Sequence, residues 1–241
     1  MERALSWKHS LAARAEWTCS FTAGRRQCRA LDGGDTVNVP ARNAGALEDQ
    51  PIVVVQGEHV GLGPMRRDLI PLYTRWINDP ALVRTTALIP PITIDQETAT
   101  YERIVTSEQV AYFTIYERST ARPIGWASFD NISPRQRTAE FNIAIGEGEC
   151  RGKGYGTEAT RLMLDYAFTV LGLHNVELFV YEYNLAGQRA YAKAGFREYG
   201  RRRQAHRMGG RAWDVVCMDC LADEFESPVL GAVFIPDQAG A

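Results

Sequence analysis

From about residue 51 onward, apolar and polar positions recur with readable periods. Ile52-Val53-Val54-Val55 is an apolar β-branched run, Gln56-Gly57-Glu58-His59 is a turn, and Val60 to Met65 alternates apolar with small residues, which predicts a short hairpin. Leu69, Leu72, Tyr73, Trp76 and Ile77 share a helix face behind Asp68 as N-cap, and Asn78-Asp79-Pro80 stops that helix. A second helix is predicted from Thr93 or Asp95 to about Ser107, with Tyr101, Ile104 and Val105 inward. The segment between, Val83 to Ile92, is the kind of connection that lines a substrate pocket. Val110–Tyr116, Ile124–Phe129 and Ala139–Ile145 read as three strands with short polar links, an antiparallel meander. Ala159, Leu162, Met163, Tyr166, Ala167 and Val170 then recur at steps of three and four, the buried stripe of a helix that Gly172 ends. Val176–Val180 is a compact strand and Ala186 to Ala194 a short helix stopped by Gly195. Phe196–His206 and Trp213–Met218 are a hairpin turned by Met208-Gly209-Gly210-Arg211.

The order ββααβββ–loop–αβαββ predicts one domain of α/β (α+β) class with a mixed sheet over residues 51–222. Residues 1–50 show no sustained period and are expected to be a disordered extension. Residues 223–241 turn apolar and proline-bearing, again without period, and are expected to be a loose tail.

Composition narrows the function classes. A formal net charge of −2 over 241 residues argues against a general nucleic-acid binder. No apolar run approaches the ~18 residues of a membrane span, and no secretory h-region follows the first charges. A cytoplasmic protein is expected. The five cysteines (Cys19, Cys28, Cys150, Cys217 and Cys220) are odd in number and scattered, so reduced thiols are expected. Cys217-Met-Asp-Cys220 has CxxC spacing but no second ligand pair, so no metal is expected.

The candidate chemistry centres on Cys150-Arg151-Gly152-Lys153-Gly154-Tyr155-Gly156-Thr157, between a predicted strand and a helix. Glycines at alternate positions free the backbone to turn its N–H groups toward one spot. The positive end of the helix dipole points at the same spot, and Arg151 and Lys153 add charge, so the stretch reads as a pyrophosphate cradle. A Walker loop needs GxxxxGK[ST], and Lys153 stands between two glycines instead. A dinucleotide fingerprint needs GxGxxG, where this chain has GxGxG behind an antiparallel sheet.

Four stretches together resemble the GNAT superfamily of acyl-CoA-dependent N-acyltransferases, in particular its branch of ribosomal-protein N-terminal acetyltransferases. They are Trp76-Ile-Asn-Asp-Pro80, Arg151-Gly-Lys-Gly154-Tyr-Gly156, the Asn184…Tyr191-Ala-Lys-Ala-Gly195-Phe196 segment, and Gly210-Arg-Ala-Trp-Asp214. The resemblance spans about residues 51–222. It implies a mixed, mostly antiparallel sheet, flanked by helices, whose two central strands splay into a V that holds the thioester. It also implies acetyl-CoA or another acyl-CoA as co-substrate, no metal, and direct attack by an amine.

Residue roles follow from the same resemblance. Ile143, Ala144 and Ile145 would meet the pantetheine through their backbone. Arg151, Gly152, Lys153, Gly154, Tyr155, Gly156 and Thr157 would hold the pyrophosphate, Thr157 as donor or as a helix cap. Asn184 would bond the pantetheine or cap its own helix, and Ala186 with Arg189 would meet the phosphoadenosine end. Tyr191 would protonate the leaving thiolate. Glu140 would serve as base through water or else pair with an arginine, ahead of His206 and Asp214. Arg201, Arg202, Arg203, Arg207 and Arg211 form either a solvated edge or a site for an acidic acceptor, the 3′-phosphate of coenzyme A or a carrier protein. The acceptor is expected to be a small-molecule amine or a peptide N-terminus. Two other readings stay open: delivery of the acyl group by an acyl-carrier protein's pantetheine, and a non-catalytic acyl-CoA-binding module. A homodimer is compatible with the resemblance, which offers no nucleic-acid or membrane partner.

Overall fold

The computed structural model describes the backbone of residues 17–22, 25–30 and 37–38, and residues 50–87 and 91–235 in full. The chain divides into two units, residues 1–50 and 51–241. Where the sequence suggests a disordered extension, the described part of the first unit is a three-stranded antiparallel sheet of β1 (Trp17–Thr22), β2 (Arg25–Ala30) and β3 (Val37–Asn38). The rest of that expectation lies outside the described residues.

The second unit runs β4 (Val55–Gln56), β5 (Val60–Pro64), α1 (Ile70–Ile77), α2 (Pro80–Val83), α3 (Ile94–Val105), β6 (Ala111–Glu117), β7 (Arg122–Ser133) and β8 (Thr138–Ile145). It continues with α4 (Tyr155–Asp165), β9 (Asn175–Tyr181), α5 (Leu185–Ala194), β10 (Arg197–Met208), β11 (Arg211–Leu221) and α6 (Leu230–Val233). Its eight strands lie in the order β10-β11-β9-β8-β7-β6-β5-β4. Every pairing is antiparallel except β8 with β9, which covers only Thr138↔Asn175, Ala139↔Val176 and Glu140↔Glu177. Beyond Glu140 the two strands part, so β8 is paired to β7 on one side and open on the other as far as Ile145. This is the V-shaped splay.

Period two along β8 divides the core. Ala139 and Phe141 face α4 in the larger cluster, with Phe129, Leu162, Met163, Leu178 and Phe196. Ala144 faces the other way and packs with Trp126, Tyr73, Trp76 and Leu82 under α1 to α3. Trp76 is buried in that cluster. A Cβ on Gly146 would lie 2.2 Å from its ring, and its Nε1–H donates to Glu147 at 2.9 Å.

Local expectations meet two corrections and one choice between alternatives. Asp68 does not cap α1; it sits in a 3-10 turn and pairs with Arg66, while Pro71 opens the helix. Thr93, not Asp95, caps α3, in a reciprocal capping box with Gln96. On α3, Val105 is exposed and Glu97 is buried. The Gly209-Gly210 turn holds, both residues having positive φ (61° and 74°) as a tight hairpin demands.

The C-terminal segment is not loose as far as residue 235. Asp165, fully buried at the end of α4, accepts hydrogen bonds from the Ser227 hydroxyl (2.5 Å) and from the backbone N–H groups of Val229 (2.9 Å) and Leu230 (2.8 Å). Phe225 packs on Phe168, and Leu230 is buried in the main cluster. A buried carboxylate needs such donors. The period of the tail carries no trace of them because the acceptor lies about sixty residues upstream.

Candidate active site

The splay, the glycine-rich loop and the start of α5 enclose one cleft of about 280 Å³. Ile143, Ala144 and Ile145 line one wall, and Asn184, Ala186, Ala190 and Tyr191 the other, with Arg151, Gly156 and Thr160 at one end. Leu82, Thr85 and Thr86 close it from the α2 side, so the start of the 83–92 connection does line the pocket. A contiguous groove of about 370 Å³ continues past Gly152, Gly154, Gly156 and Thr157 to Ala186, Arg189 and Lys193.

The cradle depends on left-handed backbone. Gly152 and Gly154 have φ of +76° and +88°, and a Cβ at either would project into open space rather than into protein. Their glycine identity therefore reflects backbone conformation and not crowding. Gly154 is the N-cap of α4 and offers no side-chain bond. The N–H groups of Tyr155, Gly156 and Thr157, the first helical residues, lack carbonyl partners one turn back, and Gly156 and Thr157 line the groove. Thr157 is at N3 and its hydroxyl is unpaired among the described residues, so the capping alternative falls away.

Arg151 departs from the simple reading. Its Nε–H donates to the Ile145 carbonyl (2.9 Å), and Nη2 donates to the Gly146 carbonyl (3.0 Å) and to Asp79 (3.2 Å). The guanidinium thus braces the end of β8 against the capping residue of α2. In doing so it occupies the carbonyl of Ile145, which leaves Ile143 and Ala144 as the freer part of the edge.

Asn184 does what the structural alternative asked: its Oδ1 accepts from the Gly187 N–H at 3.0 Å and caps α5. The same geometry leaves its amide NH₂ without a partner among the described residues, on the cleft wall. Tyr191 packs edge-on to Phe141 and Phe196 at 6.4 and 6.1 Å. Its hydroxyl has no hydrogen-bond partner among the described residues, and burial pushes its pKa up to about 12.

Glu140 does not line the donor cleft. It sits where β8 and β9 still pair, accepts a long bond from Asn131 (3.4 Å) and makes no arginine pair among the described residues. Burial, then the nearby Asp130 and Glu177, raise its pKa. Strand register explains the company. Asp130, Glu140, Glu177 and Asp219 stand directly opposite one another across β7, β8, β9 and β11, a row of four carboxylates on one face of the sheet. Sequence reasoning missed three of them, since only register brings them together.

The remaining candidates are engaged elsewhere. His206 stacks on Tyr181 at 3.8 Å and bonds the Tyr183 hydroxyl (3.1 Å), and Asp214 accepts the Gln204 N–H (2.8 Å). The Tyr183 and Tyr181 hydroxyls in turn donate to the carbonyls of Arg84 (2.6 Å) and Thr86 (3.3 Å), tying down the pocket-lining connection. Arg201 pairs with Glu198, Arg202 lies over Phe179 and Arg211 over Trp213, so the arginine run is an edge rather than one patch. Cys150, Cys217 and Cys220 are buried free thiols, and the described residues contain no cluster of metal-ligating side chains.

Residues 59–197 match the acetyltransferase (GNAT) domain family. The probable N-acetyltransferase YjcK of Bacillus subtilis is 35% identical over 115 residues, 47% of this chain and 62% of its own length, so the chain spans less than two thirds of that relative. The human alpha/beta-tubulin-N-acetyltransferase 9 is 30% identical over 154 residues, 59% of this chain and 74% of its own. The crystal structure of spermidine N-acetyltransferase from Vibrio cholerae, in complex with CoA and spermine, superposes with a TM-score of 0.66 at 25% identity, covering 70% of this chain and 98% of that one. The mixed sheet, its splay and these matches agree: the chain belongs to the GNAT acetyltransferase family.

Proposed function

We propose that this protein moves an acetyl group from acetyl-CoA to a primary amine by direct attack. One observation carries the reading: the open edge of β8, the N–H-lined start of α4 and the unpaired hydroxyl of Tyr191 meet on a single cleft. The residues suit the donor. Ile143 and Ala144 offer peptide groups to a pantetheine in the manner of an added strand, the loop from Gly152 to Thr157 suits a pyrophosphate, and the free amide of Asn184 lies between them.

Tyr191 stays protonated at neutral pH because burial holds its pKa near 12. It donates its proton to the sulfur as the C–S bond breaks, and solvent restores it. The amine nitrogen forms the new C–N bond and must lose a proton. Glu140 accepts that proton through water, with a carboxyl whose raised pKa makes it a better base than an ordinary carboxylate.

The acceptor we propose is a small amine carrying more than one positive charge. The four-carboxylate row supports this, since like charges facing across strands destabilise a sheet and call for a cation to offset them. The spermidine acetyltransferase neighbour points the same way. The likeness to ribosomal-protein N-terminal acetyltransferases rests on the four sequence stretches alone, and a peptide N-terminus is the competing acceptor. Purified protein with acetyl-CoA and a panel of diamines, polyamines and peptide N-termini, followed by thiol release and product mass spectrometry, tests this. One CoA released per N-acetylated polycation is expected. Tight CoA binding with no product from any amine would sink the enzymatic reading.

A further inference from the structure

Two tyrosines flank Glu182 just before Asn184, and the chemistry above uses neither. Tyr181 shares its face of β9 with Phe179 and Glu177 by period two, so it stands on the sheet face of the carboxylate row. Its ring stacks on His206 at 3.8 Å, and the Tyr183 ring lies 5.9 Å from the same imidazole. The turn after α2 meets this group. Thr85 and Thr86 in that turn line the cleft together with Leu82. Leu82 packs with Ala144 on the sheet face away from α4, so the turn closes the cleft from the face opposite that helix.

The turn is not held by its own backbone alone. Its N–H groups are satisfied locally, Thr85 donating to the Leu82 carbonyl (2.9 Å) and Thr86 to the Val83 carbonyl (3.1 Å). Its carbonyls at Arg84 and Thr86 accept instead from the hydroxyls of Tyr183 (2.6 Å) and Tyr181 (3.3 Å), 99 and 95 residues downstream. A carbonyl can only accept, so the one phenolic proton of Tyr183 is committed to Arg84. The 3.1 Å contact between that hydroxyl and His206 Nε2 is then donated by the imidazole, which fixes a proton on Nε2. A relay results, from His206 through Tyr183 to the Arg84 carbonyl, in which each bond polarises the next.

We propose that Tyr183 and His206 are positioning residues for the acceptor: their relay fixes the Arg84–Thr86 turn as the wall against which the amine is placed beside the thioester. They act through the turn and not on the reacting atoms. This role presupposes the acetyl-transfer reading above and adds acceptor placement to it. The connection from Tyr181 to Asn184 then serves both substrates. Asn184 turns its amide to the donor cleft, and the two rings before it brace the acceptor side. His206 thereby gains a role other than that of a base.

Tyr183→Phe removes the hydroxyl and keeps the ring. Steady-state kinetics at saturating acetyl-CoA, with spermidine and a free peptide N-terminus as acceptors, should show KM for the accepted amine raised about fivefold, as the loss of one short hydrogen bond implies, with kcat within twofold. The calorimetric Kd for CoA should not change. His206→Gln keeps an N–H donor and should stay within twofold of the unaltered protein, whereas His206→Leu should repeat the fivefold rise. A histidine that served only as packing would give the same KM in both variants. Equal KM in the Gln and Leu variants, or in Tyr183→Phe and the unaltered protein, would overturn the assignment and leave the acetyl-transfer reading intact. A rise in the Kd for CoA that matches the rise in KM would assign the turn to the donor and overturn it as well. Turnover of no amine by the unaltered protein would overturn both.

Discussion

The donor cleft presents mostly backbone: the open edge of β8, the N–H groups that begin α4, and glycines in left-handed conformation that turn the loop. The other face of the same sheet presents side chains, with Asp130, Glu140, Glu177 and Asp219 in a row and Glu97 buried on α3 nearby. One region is electropositive and shaped by dipoles; the other is negative and assembled from four strands. A donor rich in phosphate and a cationic acceptor can therefore reach the same splay from regions of opposite potential. The comparison also separates what each region needs from its sequence. The donor side needs a few residues at fixed local spacing, whereas the acid face needs register.

The largest expected effect lies on the donor side. In Tyr191→Phe, kcat should fall about a hundredfold if the phenol protonates the leaving thiolate, with KM for acetyl-CoA and thermal stability unchanged. The hydroxyl has no partner among the described residues to lose, so a purely packing role predicts no loss of rate. A kcat within a few-fold of the unaltered protein would remove the chemistry from this cleft wall.

That contrast explains how much was legible. The glycine loop, the Asn184–Tyr191 segment and the Gly209-Gly210 turn could be read because each is a short stretch whose backbone demands are local. The strands around them were found by period, which also placed the splay once the family likeness was drawn. Arg151 was read as a phosphate ligand because its charge is visible in sequence, while the carbonyls of Ile145 and Gly146 that claim it are not. The docked tail was missed for the same reason, its anchor being Asp165 on another element. Glu97 was missed because helical period marks apolar faces, and a carboxylate pointing inward breaks the pattern that defines the face.

Glu97 gives the next prediction. It is 3% exposed with no hydrogen-bond partner among the described residues, and burial raises its pKa from 4.5 to about 7. Below the lower value both folded and unfolded chains hold the proton. Between the two values only the folded chain does, so stability falls as pH rises across that window and stays low above it. The loss is about 3 kcal/mol. Glu97→Gln, near-isosteric with the protonated acid, should leave the urea midpoint unchanged near pH 4.5, raise it near pH 8 and flatten the slope between. An unchanged slope in the variant would mean that the acid face carries no buried, strained carboxylate.

The smallest effect is the most discriminating for the acceptor face. Glu177 stands between Glu140 and Asp219 in register and accepts the Tyr199 hydroxyl at 2.9 Å. Glu177→Gln keeps an acceptor for that bond and removes one negative charge from the row. If the row exists at a cost in stability, the variant should be more stable by ~0.2–1 kcal/mol, the size of a cross-strand charge term. If the row also receives a cation, the same variant should raise KM for a polyamine several-fold, leave KM for a monoamine unchanged, and spare kcat. Relief of repulsion with no change in any KM would make the row a tolerated strain and return the acceptor to a peptide N-terminus. A gain in stability bought with polyamine affinity would tie the two halves of the molecule together, since the face would then be kept negative for its ligand at a cost in stability.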